Sequence, residues 1–198
     1  MAAYDFRPTY GRTAPQAVRW QAGPTTAQGN AMNDNARALA GRLIRNFDEV
    51  ATERQVREPL YDSLSARLAS GSAARKLGAS IDTVAPGKRS CPYHFHHAQE
   101  EMFIVIEGAG TLRVAGELLP LRTGDVVFVP PGPEYPHQII NTSNQPLKYL
   151  SISTRETPEI VEYPDSDKYL AMDSSGDGLS FDAIQRTGNS IDYWDGEP

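Results

Sequence analysis

All four histidines of this 198-residue chain fall in two short segments. His94, His96 and His97 lie in CPYHFHHAQEEMFIVIEG, and His137 follows a Pro-Pro-Gly turn in GDVVFVPPGPEYPHQIIN. His94, His96 and His137 with Glu101 offer three imidazoles and one carboxylate, a donor set suited to a divalent metal with catalytic ability. On an extended segment residues i and i+2 share a face. His94 and His96 then project together, with Cα atoms roughly 6.5 Å apart, close enough for two rings to converge on one ion. His97 points the other way with Phe95 and reads as a structural or surface residue. Glu100 and Glu101 face opposite sides, and Glu101 is favoured because it opens the apolar run MFIVIE and has six residues between it and Gly108. His137 must arrive on a separate strand that crosses nearby. Ligands on rigid β-elements would hold the geometry that a metal site requires.

The elements that position these residues are short and β-rich. From Leu77 onward, ASIDTV runs to a Pro86-Gly87 turn, and MFIVIE ends at Gly108. TLRV and ELLPL flank Ala115-Gly116, a hairpin tip, and DVVFV runs into Pro130-Pro131-Gly132. HQIIN and LKYLSIST complete the series. Short strands at this spacing indicate an all-β sandwich or barrel, and the lack of an internal repeat indicates one barrel. Alternation turns Glu101, Phe103, Val105 and Glu107 inward. Met102, Ile104 and Ile106 then face outward, and an outward apolar face needs a cover. A helix, the C-terminal tail or a second copy would supply it, and a homodimer is expected.

Upstream, Asn33 or Asp34 caps a helix over 34–47 whose stripe is Ala36, Leu39, Ala40, Leu43, Ile44 and Phe47. Its simplest partner is the barrel. Residues 57–77 fit a helix through Leu60, Leu64 and Leu68, or a strand through Leu64, Ala66 and Leu68. Residues 1–31 have no clear period and read as irregular. Met32 directly precedes the helix start and is a second candidate initiation site. The chain is therefore expected to divide into an irregular segment (1–31), a helix-containing extension (32–76), a barrel (77–154) and an acidic extension (155–198) packed on the barrel. Tyr163, Tyr169, Tyr193 and Trp194 are candidate anchors for that extension.

Net charge is −6, with eleven acidic against three basic residues in 155–198, which puts that stretch at −8 and the rest at +2. No basic stripe exists for nucleic acid. No apolar run approaches the length of a membrane-spanning helix, and no secretory leader is apparent near Met1. The single cysteine, Cys91, fits a cytoplasmic protein without disulfides. Cys91 reads as a spectator thiol, with a thiolate ligand as the alternative.

The two histidine segments resemble the motifs of the cupin superfamily. The first motif appears as Gly87, His94-Phe-His96, four residues, Glu101, six residues, Gly108. Gly87 stands one residue further upstream than usual. The second appears as Gly124, five residues, Pro130-Pro131-Gly132, then His137-Gln-Ile-Ile-Asn141. Four residues separate Gly132 from His137 where two are common. The resemblance covers Leu77 to Thr154, about 40% of the chain. It implies a double-stranded β-helix, or jelly roll, with His94, His96, Glu101 and His137 holding a metal inside its mouth. Four protein ligands leave about two open positions in an octahedral shell. Mn, Fe, Ni and Zn accept such donors, whereas Mg and Ca prefer oxygen alone. YPDSDKY and the YWDGE-like ending resemble a bacterial cupin group commonly labelled sugar-phosphate isomerases.

Tyr93 and Tyr135 flank ligand positions and serve packing or a substrate hydrogen bond. Asn141 supports strand pairing or orients a ligand, and Glu107 is a candidate acid or base. The expected function is a metal-dependent enzyme acting on a small molecule, of dioxygenase or sugar-phosphate isomerase type. The alternative is a non-catalytic module that binds or senses a sugar or organic acid. Fold alone does not choose between them.

Overall fold

Short strands dominate the computed structural model, which describes residues 32–173 and 181–198. In chain order they are β1 (Glu53–Arg57), β2 (Tyr61–Arg67), β3 (Leu77–Val84), β4 (Phe95–His96), β5 (Glu101–Glu107), β6 (Ala109–Val114) and β7 (Glu117–Arg122). There follow β8 (Val126–Val129), β9 (His137–Ile140), β10 (Leu147–Thr154), β11 (Glu159–Tyr163), β12 (Lys168–Asp173) and β13 (Phe181–Arg186). Three antiparallel sheets form, ordered β1-β2-β3-β10-β5-β8, β13-β12-β11-β4 and β7-β6-β9. The architecture is the all-β double-stranded β-helix expected from the sequence.

Alternation along β5 runs as read from the pattern. Phe103 and Val105 are buried, while Met102, Ile104 and Ile106 are only half-buried. The buried pair joins Val84, Leu112, Leu121, Val129, Ile139, Leu147 and Tyr149 in one core. Each such side chain contributes about 1.5–3 kcal/mol by leaving water. Ala115 (φ 49°) and Gly116 (φ 83°) make the two-residue hairpin turn between β6 and β7, the backbone shape that matches strand twist. Pro120 is tolerated because β7 is an edge strand.

Several expectations change. Helix α1 spans Asp34–Leu43, capped by the Asn33 side chain on the Ala36 N–H. It stops before residue 47 because Ile44 turns extended and the Asn46 side chain accepts the Asp48 N–H. Its apolar stripe is not packed on the barrel. Leu39, Leu43 and Ile44 are 47%, 65% and 69% exposed. Its ties to the following segment are polar, from the Ala73 N–H to the Arg42 carbonyl and from the Arg45 guanidinium to the Gly71 carbonyl. The undecided stretch 57–77 contains β2, which pairs with both β1 and β3.

Beyond residue 155 the chain builds the β11–β13 sheet. Tyr193 and Trp194 do not anchor it; they stack edge to face on each other and stay exposed. The irregular segment expected over 1–31 lies outside the described residues. No helix among the described residues is long and apolar enough to cross a membrane.

Candidate metal centre

Backbone pairing brings the two histidine segments together. His94 and His137 exchange both N–H···O bonds, at 3.1 and 2.7 Å. On its other side the first segment is held by β11, which pairs with β4, and by the Gly132 N–H on the His96 carbonyl. Glu101 enters from the start of β5. His94, His96 and Glu101 present donor atoms that all lie within 4.8 Å of one another. A single Glu101 oxygen has the Nε2 of His137 at 2.8 Å, of His96 at 3.3 Å and of His94 at 3.8 Å. Three of the four sequence-predicted residues thus share one donor cluster, and His137 adjoins it through Glu101.

The rings are oriented by their own backbone. His94 Nδ1 lies 2.8 Å from the Pro92 carbonyl, and His137 Nδ1 lies 3.1 Å from the Tyr135 carbonyl. A carbonyl only accepts, so each Nδ1 must carry the hydrogen. In the neutral ring the inward Nε2 is then a bare lone pair. A bare nitrogen 2.8 Å from a carboxylate oxygen is repulsive unless a cation stands between or beside them. The donor set therefore fits a metal ion or, failing that, protons. Burial alone would raise the Glu101 carboxyl, but where protons take the place of an ion on the Nε2 atoms, hydrogen bonds from His137 and His96 and their charge outweigh it and hold it well below the ordinary carboxylate range.

Other candidates sort clearly. His97 is half-exposed and bonds Glu162 at 2.7 Å, away from the cluster. Glu107 is exposed, in register with Lys148 at the far end of β5 from Glu101. A β-bulge between Lys148 and Tyr149 interrupts the register there, so simple alternation fails and Glu107 is no acid or base of this site. Cys91 is a free thiol that burial, the largest effect, pushes up to about 12; it stays protonated and outside the donor cluster. Tyr93 is buried beneath the Arg113 guanidinium, 3.7 Å from its ring centre, which is a packing role. Asn141 is fully buried and bonds the Val84 and Gln145 carbonyls and Ser143. It ties down the turn before β10 and touches no ligand.

Two neighbours were not expected at the site, Glu159 because nothing singled it out and Tyr163 because it was expected only as an anchor. Glu159 is 1% exposed. It accepts the backbone N–H groups of His97 (2.9 Å) and Gln99 (2.7 Å), with Ala98 at 3.4 Å, and so fixes the loop between His96 and Glu101. It also lies 3.7 Å from the otherwise unpartnered Nδ1 of His96. Tyr163 sits beside His94, ring centres 6.1 Å apart, and desolvation raises its phenol further above neutrality. Both come from β11, and no local motif around them signals a site.

Comparison with known proteins agrees with this fold. Residues 80–153 match the family described as the Cupin domain. An uncharacterised protein of Methanocaldococcus jannaschii is 36% identical over 73 residues, 35% of this chain and 57% of its own length. An oxalate-binding protein of Thermotoga maritima is 31% identical over 67 residues, 34% of this chain and 54% of its own length. The chain thus spans little more than half the length of the curated relatives it matches. Among solved structures, a provisionally assigned sugar phosphate isomerase of Acidithiobacillus ferrooxidans is 26% identical, with a TM-score of 0.63 over 73% of this chain and 90% of the other. A sugar phosphate isomerase of Silicibacter pomeroyi, from a cupin superfamily, is also 26% identical, with a TM-score of 0.63 over 76% and 96%. A predicted oxalate decarboxylase of Thermotoga maritima is 25% identical, with a TM-score of 0.52 over 58% and 100%.

Proposed function

The chain is a member of the cupin superfamily, and from that premise we propose that it binds one divalent transition metal and acts as a metal-dependent enzyme on a small molecule. His94, His96, Glu101 and His137 would hold the ion. The observation that carries this reading is the convergence of three Nε2 atoms on one Glu101 oxygen, two of them on rings whose Nδ1 hydrogens are committed to carbonyls. Mn, Fe, Ni or Zn would supply Lewis acidity at a substrate oxygen, and Fe would add dioxygen chemistry. The protein's own contribution is orientation and exclusion of water. The backbone carbonyls fix two rings, Glu159 fixes the loop, and Tyr163 offers a neutral phenol beside His94 for a substrate oxygen.

Isomerisation of a sugar phosphate is the favoured reaction class, supported by the two solved neighbours that bear that name, with oxygenase chemistry second. The test is direct. Full-length protein is assayed for metal content, sugar-phosphate isomerisation, decarboxylation and oxygen uptake, with and without chelator. The proposal expects turnover that chelation abolishes, that one metal restores, and that His96→Ala lacks. Turnover untouched by chelation and by His96→Ala would defeat it. A second reading, a non-catalytic binding module, is supported by the oxalate-binding relative; it expects saturable binding of a small acid without turnover.

The same proposal places the protein in the cytoplasm as a homodimer. For the dimer the support is the outer sheet face, where half-buried Met102, Ile104 and Ile152 adjoin Phe128 (68% exposed) and Leu77 (53% exposed).

A further inference from the structure

A polar cavity of about 660 Å³ is lined in part by Ser153, the cross-strand partner of Glu101. Its lining includes Arg67, Ser80, Ser151, Ser153 and Arg155, and no acidic residue contributes to it. Strand register fixes its place. Ser153 pairs with both Glu101 and Gly78, and Ser80 pairs with both Ser151 and Arg67. Cross-strand partners share a face, so these side chains continue the inner wall that carries Glu101. Gly78 keeps the wall open, since a Cβ there would lie 2.7 Å from the Ser153 Oγ.

What sets Arg67 and Arg155 apart is that both line this one cavity without a carboxylate partner; Arg42, Arg75 and Arg89 also lack one but lie outside it. Arg54, Arg113, Arg37 and Arg122 each face a carboxylate. Among the described residues neither Arg67 nor Arg155 has a hydrogen bond or ion pair from its guanidinium. Two unpaired guanidiniums and the uncommitted hydroxyls of Ser70, Ser151 and Ser153 line this cavity. The Ser80 hydroxyl is spoken for, donating to Asp82 at 2.7 Å.

We propose that this cavity is an anion subsite that holds the phosphate group of a small-molecule substrate whose reacting end reaches the histidine cluster. The inference rests on the metal-dependent reading given above and names its substrate class. Phosphate is favoured over carboxylate by donor count. One guanidinium fork satisfies the two oxygens of a planar carboxylate. Two forks with hydroxyls between them match a dianion with three terminal oxygens. The volume lies in the range of small-molecule sites.

The test measures binding of inorganic phosphate and, separately, oxalate to the full-length chain after chelation. The same titrations are made on Arg67→Ala, Arg155→Ala and His96→Ala, with metal content read on unchelated samples of each. The arginines are exposed, so the variants are expected to fold, which circular dichroism checks. The expected result is phosphate binding weakened about tenfold or more by each arginine substitution and unchanged in His96→Ala. Phosphate binding that survives both arginine substitutions but vanishes in His96→Ala would place the anion at the histidines and overturn the inference. Arginine-dependent binding of oxalate without phosphate would overturn the assignment to phosphate. Binding of neither anion would remove the subsite altogether. In every case the metal content shows separately whether the metal reading stands.

Discussion

Replacing Glu159 with glutamine removes one charge and keeps the shape. One Glu159 oxygen accepts the Gln99 N–H, and the other accepts the His97 and Ala98 N–H groups. Glutamine retains a single carbonyl oxygen. Whichever way its amide turns, one side of the loop faces an NH2 donor instead of an acceptor. His97 keeps a second partner in the Ile160 carbonyl, so the softer orientation leaves the amide oxygen on Gln99. The loss is then one charge-assisted bond and one poorly satisfied buried donor, about 2–4 kcal/mol together. Against a typical total of 5–15 kcal/mol, that is measurable by urea denaturation of the metal-free protein. The same loop carries His96 and leads to Glu101, and loss of an outer-shell partner weakens metal binding about 10- to 100-fold, readable by competition with a chromogenic chelator. Stability within about 0.5 kcal/mol of the parent together with unchanged metal affinity would refute the argument that Glu159 holds the loop.

The Cys91 thiol, pushed up to about 12 by burial, should resist a thiol-specific disulfide reagent at pH 8 in the native protein and react on unfolding; rapid native labelling would contradict its placement. Burial also raises the Tyr149 phenol. Both groups bind their protons more tightly folded than unfolded. Their contribution is therefore complete below about pH 9, and stability should fall as pH rises from there, by up to about 1.4 kcal/mol per pH unit for each group; a flat alkaline profile in denaturant titrations would oppose this. Gly108 has φ 85°, and a Cβ there would collide with the Pro146 carbonyl. Gly108→Ala should cost at least about 2 kcal/mol, and an unchanged melting temperature would count against the tight turn. Light scattering coupled to size exclusion should show a dimer at micromolar concentration that Phe128→Glu converts to a monomer; a monomeric parent would remove the homodimer.

Much of the barrel was legible because its strands alternate cleanly. The runs ASIDTV, MFIVIE, TLRV, ELLPL and LKYLSIST became β3, β5, β6, β7 and β10 with small shifts at their ends. The clustering of His94, His96, Glu101 and His137 was legible because histidines are rare here and two stand at i and i+2. The helix stripe misled, because amphipathic spacing shows what a helix can bury and not what stands opposite it. Glu107 misled because a β-bulge breaks the register beyond Tyr149. Glu159, Arg67 and Arg155 were invisible to local reading, and Tyr163 was legible only as an anchor. Their roles arise only when β11 lies against β4 and β2 lies against β3, contacts between segments far apart in sequence.

Anomalous diffraction from crystals of the full-length chain, collected at the absorption edge of whichever metal the native protein retains, tests the central claim most directly. The account predicts one strong peak bounded by Nε2 of His94, His96 and His137 and by a Glu101 oxygen. A peak elsewhere, or none at this point under saturating metal, would contradict it.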